Sequence, residues 1–272
     1  MQKIIAENLD WNLLWQNAAE RMTRKRKGPD SWDKRAESFA RRTANSIFGK
    51  LFIEFLQPEQ DWSILDIGCG PGTLSIPLSQ RVKHVSALDF SPRMLQIVRN
   101  RAQEKKITNI SLHNLSWEDD WQARGLKMHD VTIASRSLGV RDLRTALEKL
   151  NQFARKAVVV ADKVGPGPFD PAAFAAVGRE FYFGPDYIYT VNLLYQMGIH
   201  TTVNFIRLEN SHVYASPAEA FDNYSWMFKD LTAGEKKRLR EYIDSITEET
   251  EDNTIILKPA HVTTWAFLRW SP

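Results

Sequence analysis

The segment Ser63–Gln80, SILDIGCGPGTLSIPLSQ, constrains the chain more than any other. An apolar run ends at Asp66. Three glycines follow at alternate positions, Gly68, Gly70 and Gly72, and a helical pattern opens at about Thr73. Glycine tolerates the unusual dihedrals of a tight strand-to-helix turn and lets a ligand press against bare backbone. The helix start behind the turn offers free N–H groups to a negative ligand group. The spacing is G-x-G-x-G with an acid two residues ahead of the first glycine, whereas a dinucleotide fingerprint reads G-x-G-x-x-G. Asp66 would repel a pyrophosphate and attract an ammonium. Cys69, within the turn, reads as a small packing residue.

The residues after the turn continue the same pattern. The run HVSALDF ends in Asp89, 17 residues beyond Gly72. An acid at the tip of a second strand can accept both hydroxyls of a ribose. Phe90 and Met94 are placed to pack on an adenine. A third strand leads into NLSWEDD, where Ser116, the Trp117 backbone and Glu118 would meet the adenine edge. A fourth, MHDVTIASRSL, sets Ser135 and Arg136 just past its C-terminal end, where ligands bind in open sheets. Strands are expected at Ser63–Asp66, Val85–Asp89, Ile110–Asn114, Val131–Ser135 and Ala157–Asp162, with helices at Pro92–Lys105 and Asp142–Ala154. That alternation predicts an α/β three-layer sandwich around a mostly parallel sheet. Two more strands, Thr201–Leu208 and Val262–Leu268, could form an antiparallel edge. Helices are expected at about Pro217–Phe228 and Thr232–Ile246.

Residues 61–164 resemble the core of the class I S-adenosylmethionine-dependent methyltransferases, through LDIGCGPG, ALDFSPRML, LSWED and DVTIASRSL in that order. The resemblance implies a Rossmann-like fold with a seven-stranded sheet whose last strand is antiparallel. It implies S-adenosylmethionine as cofactor, whose ammonium, carboxylate and sulfonium suit an acid-plus-glycine turn. Asp66, Gly68, Cys69, Gly70 and Gly72 would hold the methionine end and Asp89 the ribose. Phe90, Met94, Ser116, Trp117, Glu118 and Ser135 complete the expected cofactor contacts. Ser116 departs from the aspartate that the family often has there. The chain has SRSL where methyltransferases of adenine N6 or glutamine amides carry N/D-P-P-Y/F, and no cysteine where base C5 methyltransferases keep a nucleophile. The element SWDKRAESFA is similar to a segment that covers the cofactor in several small-molecule methyltransferases.

Residues 1–60 are expected to form a helical cap, with Trp11, Leu14, Trp15 and Ala18 on one helix face. Residues 61–272 would form the methyltransferase domain, with a lid insertion at about 165–200. Expected substrate contacts are Trp32, Arg136, Tyr182 and Tyr187. Candidate catalytic groups are Tyr187, Tyr195, His200 and Arg136. The six histidines show no metal-ligand spacing on one helix, so no metal is expected. With 36 basic and 33 acidic residues the net charge is only +3, and bulk charge draws the protein to neither nucleic acid nor membrane. One cysteine excludes an internal disulfide. The amino-terminal residues do not read as a signal peptide and no apolar run is long enough to span a bilayer, so a cytoplasmic protein is expected. The favoured acceptor is a small molecule. Arg21–Lys27 with Arg35, Arg41 and Arg42 supports RNA or protein as the alternative, although that run also reads as a solvated helix end. A non-catalytic cofactor binder is a third reading. Oligomeric state is not legible.

Overall fold

The computed structural model describes residues 8–23, 28–44, 46–208, 213–252 and 254–272. Helices α1 (Trp11–Arg21), α2 (Pro29–Asp33), α3 (Ala36–Thr43) and α4 (Ile47–Leu56) precede the first strand. Asp10 caps α1 by accepting the Leu13 N–H at 2.9 Å. Then follow β1 (Ser63–Ile67), α5 (Ser75–Ser79), β2 (His84–Asp89), α6 (Pro92–Glu104), β3 (Ile110–Asn114), β4 (His129–Ser135), α7 (Leu143–Phe153) and β5 (Ala154–Lys163). The chain continues through α8 (Pro171–Val177) and α9 (Tyr187–Gln196) into β6 (Thr202–Leu208). Next come β7 (Val213–Tyr214), α10 (Pro217–Ser225), α11 (Ala233–Ser245), β8 (Thr247–Glu249), β9 (Ile255–Leu257) and β10 (Thr263–Trp270).

The main sheet has seven strands in the order β3-β2-β1-β4-β5-β10-β6. Pairings among β1 to β5 are parallel, and β10 runs antiparallel to both β5 and β6. This is the Rossmann-like arrangement, and its strand order reverses between β1 and β4, where ligands bind. The last two strands of this sheet form the expected antiparallel edge, with β10 inserted between β5 and β6. Helix α9 brings the chain back to the starting end of the parallel strands, so β6 joins them in direction and β10 alone is inverted.

The sheet is covered on both faces. On one, Trp15, Leu143, Leu147, Leu150, Leu193 and Leu194 pack with Leu65, Val158 and Val160. The Trp15 indole N–H donates to the Val140 carbonyl at 3.0 Å, and Trp11 and Trp15 both meet Tyr189 edge-on. On the other, Phe48, Phe52 and Leu56 of α4 pack with Ile64, Val159 and Phe267. Each such fully buried side chain contributes about 1.5–3 kcal/mol. Helices α1 and α4 are thus parts of the two outer layers, whereas α2 and α3 lie over α6, with Ala36 and Ala40 against Met94 and Ile97.

A smaller lobe holds α8, α10, α11 and a three-stranded sheet, β7-β9-β8, around Phe174, Leu239 and Ile243. Asp170 anchors it. Its carboxylate caps α8 at the Ala172 N–H and accepts the Tyr242 hydroxyl at 2.5 Å. Sequence pattern does not foresee this sheet, because strands of two or three residues leave no measurable period. No helix among the described residues is long and apolar enough to cross a membrane.

Candidate cofactor and substrate site

The turn after β1 is tied to the tip of β2. The N–H groups of Gly68 and Cys69 donate to the Leu88 carbonyl at 2.8 and 3.0 Å. The N–H of Gly70 donates to Asp89 Oδ2 at 2.8 Å, and that of Ser91 to Oδ1 at 2.8 Å. Gly68, Gly70 and Gly72 all have positive φ, at 69°, 56° and 80°. The three differ in what a Cβ would meet. At Gly68 it would fall 2.4 Å from Ser137 Cβ, and at Gly72 3.0 Å from Ile76 Cγ1, so both positions are filled by protein. At Gly70 its nearest neighbour would be Phe39 Cε1 at 3.8 Å, an ordinary van der Waals contact, so that position is capped by the ring without overlap.

Two buried acids flank the turn. Asp66 accepts the Ser75 hydroxyl at 2.5 Å. Burial pushes its carboxyl up to about 7, the Ser75 bond opposes that shift, and the negative charge of Asp89 adds to it. Burial also raises Asp89, against the two N–H bonds it accepts. Both acids would hold a positive or hydroxyl-bearing ligand better than an anion. Cys69 is buried with Ile76, Ala87 and Val98, and desolvation lifts its thiol well above the usual range.

Helices α2 and α3 form a roof over this turn. Asp33 Oδ1 accepts the Ser91 hydroxyl at 2.5 Å, and the guanidinium of Arg101 donates to the Pro71 and Ala40 carbonyls at 2.8 and 3.1 Å. Trp32 meets Phe39 edge-on at 5.5 Å. Met94 is only 2% exposed beneath the roof and packs with Ala36 and Ala40, so it is not open to an adenine; Phe90, half-buried at the end of β2, remains accessible. Around the third-strand loop, Ser116 donates both its N–H and its hydroxyl to Asp119, at 2.7 and 2.9 Å. The Trp117 ring is buried against Trp121 and donates to the Ser137 carbonyl at 3.0 Å, while Glu118 is exposed.

Beyond β4, Ser137 donates to the Ile67 carbonyl at 2.6 Å and closes the wall opposite Asp89. Ser135 Oγ is buried with no hydrogen-bond partner among the described residues. Arg136 has a left-handed φ of 58°, and its N–H donates to the Ala161 carbonyl at 2.8 Å. Its guanidinium lies 4.2 Å from the centre of Phe48 and 5.7 Å from that of Trp265.

The remaining expected residues are not brought to this place. Helix α9 spans about 15 Å and carries Tyr195 and His200 toward the opposite ends of the parallel strands, where their rings lie 6.3 Å apart. The structure therefore does not bring either ring beside Gly70. Tyr187 sits edge-on to Phe205 at 5.2 Å over β6, three strands from β4. Tyr182 is largely exposed against Arg21 and Glu180. Trp32 and Arg136 alone of the expected substrate contacts flank the cofactor turn. Of Arg21–Lys27, positions 24–27 lie outside the described residues, as does His212. Among the described residues, no group of three or more His, Cys, Asp or Glu side chains is arranged to hold a metal ion.

Comparison with known proteins identifies the central domain. A model described as a methyltransferase domain matches residues 64–157, the stretch that contains the turn, both acids and Arg136. Those residues form an S-adenosylmethionine-dependent methyltransferase domain. An uncharacterized protein of Haemophilus influenzae is 32% identical over 246 residues, 89% of each chain. The 23S rRNA (uracil(1939)-C(5))-methyltransferase of Vibrio parahaemolyticus is 31% identical over only 72 residues, which span 26% of this chain and 16% of that enzyme. Among solved structures, magnesium protoporphyrin IX methyltransferase from Synechocystis, with bound S-adenosylhomocysteine, superposes with a TM-score of 0.53 at 15% identity. It covers 67% of this chain and 91% of its own and shows the shared fold.

Proposed function

We propose that this methyltransferase transfers its methyl group to a small molecule bound between the glycine turn, the end of β4 and the roof of α2 and α3. The observation that carries the reading is the roof. Phe39 lies over Gly70 and Trp32 stands behind it, so an acceptor would enter a covered, aromatic-walled recess rather than an open face. Asp66 would hold the cofactor's ammonium, the Gly70 backbone its methionine end, and Asp89 the ribose hydroxyls. We take α2 and α3 as the cofactor cover within the segment 1–60, and residues after about 165 as the substrate side. A relative of the same fold is named for a porphyrin acceptor, itself a small molecule.

The cofactor supplies an electrophilic methyl carbon. The chain's own contribution is alignment and exclusion of water. No histidine or tyrosine of the expected catalytic set reaches the turn, so the reading assigns no general base to the protein. A nucleophile that is already deprotonated, or one that loses its proton to solvent, meets that requirement.

A second reading, an RNA acceptor, draws on the basic residues Arg35, Arg41 and Arg42 and on the short match to the rRNA enzyme. That match covers the cofactor-binding core and little else. The experiment incubates the protein and labelled S-adenosylmethionine with an ultrafiltered cell extract, and separately with total RNA and with the extract's proteins. Label entering the small-molecule fraction alone supports the first reading. Label in RNA, with salt-sensitive binding, supports the second.

A further inference from the structure

We infer that the methyl acceptor is an oxyanion, a carboxylate or a phosphate, seated on Arg136. This deepens, and rests on, the small-molecule reading. Arg136 is the residue before Ser137, whose Cβ lies 2.4 Å from where a Cβ on Gly68 would stand. The arginine therefore borders the cofactor turn itself. Its backbone takes a left-handed φ, uncommon without glycine, held by the N–H bond to Ala161. That conformation aims the side chain across the sheet end toward Phe48 and Trp265.

The charge there is uncompensated. No hydrogen bond or ion pair engages the guanidinium among the described residues, although it has five N–H donors. The residue is exposed to solvent, and the protein packed around its guanidinium holds it down to about 10. Its N–H donors therefore stay free for a ligand. The neighbouring acids are committed elsewhere. Asp162 takes the Thr190 hydroxyl and the Lys163 N–H on the far face of β5, and Asp33 takes Ser91. A planar guanidinium backed by aromatic rings matches a carboxylate or phosphate in a two-bond fork.

Calorimetric titration of the S-adenosylhomocysteine-loaded protein with phenylacetate, phenyl phosphate and neutral phenylacetamide tests this. Saturable binding of either anion, at least tenfold tighter than the amide, is expected, and the anion preferred tells carboxylate from phosphate. Arg136→Met should remove that preference with S-adenosylhomocysteine affinity unchanged, and Arg136→Lys should keep part of it. Equal binding of the amide and the anions, or anion binding that survives Arg136→Met, overturns the inference. Failure of the wild-type protein to bind S-adenosylhomocysteine instead overturns the reading on which it rests, and the same anion series on the cofactor-free protein still decides the role of Arg136.

Discussion

Gly70 and Asp89 are joined by a 2.8 Å bond from the glycine N–H to the carboxylate, so the tip of β2 sets the shape of the turn after β1. One acid therefore does two things. It orders the turn, and in the proposed function its remaining lone pairs would accept the ribose hydroxyls.

Asp89→Ala should accordingly weaken S-adenosylhomocysteine binding by about 1.5–3 kcal/mol, roughly ten- to a hundredfold in Kd. Asp89→Asn, which keeps an oxygen for one N–H, should lose less. Calorimetry of the three proteins checks the order, and an Ala variant that binds as tightly as wild type would place the ribose elsewhere.

Gly68→Ala should lower stability by about 1–3 kcal/mol through its φ of 69° alone, with the overlap against Ser137 adding to it. The double variant Gly68→Ala, Ser137→Gly should recover only the overlap. Thermal melts separate the two parts, at roughly 2–4 °C per kcal/mol for a domain of this size. Full recovery in the double variant would show that the backbone angle carries no cost.

Cofactor affinity should rise with pH up to about 7 and then level off. Asp66 sits near 7 in the unliganded protein, and an ammonium beside it favours the ionised form. Binding then releases a proton below pH 7, with a slope of at most tenfold per pH unit. The stability of the unliganded protein follows the opposite sign. A carboxyl raised from about 4 to about 7 on folding stabilises the fold below pH 4, and that contribution is lost as pH rises to 7. Asp66→Asn should flatten both profiles, and an affinity that does not change between pH 5.5 and 7.5 counts against the ammonium assignment.

Much of this was legible in the sequence because the fold's demands there are local. Asp66, the three glycines and Asp89 sit at the ends of adjacent strands, where spacing along the chain fixes spacing in space. The aromatic stretch 181–195 could not be read the same way. Its rings are alike in sequence, but α9 runs back across the sheet and takes Tyr195 and His200 away from the turn. Ser137 escaped notice for the converse reason, since it reaches Gly68 from an element remote in sequence, whereas Phe39 lies in SWDKRAESFA, the segment similar to a cofactor cover. Ser137 did carry one signal, its place directly after Arg136 at the end of β4.

Arg101→Ala should release α3 from the glycine turn, because it removes bonds to both Ala40 and Pro71. Hydrogen exchange of residues 36–43 should speed up, and S-adenosylhomocysteine should bind severalfold more weakly, with the sheet strands as protected as before. Unchanged exchange over α3 would mean that Ala36, Ala40 and Met94 hold the roof without the arginine.

The most direct measurement is calorimetric titration of the wild-type protein with S-adenosylhomocysteine, with NADH as the control. Saturable one-site binding of S-adenosylhomocysteine and none of NADH is the predicted result. NADH binding, or no binding of either, would contradict the assignment of Asp66, Gly70 and Asp89 to the methyl donor.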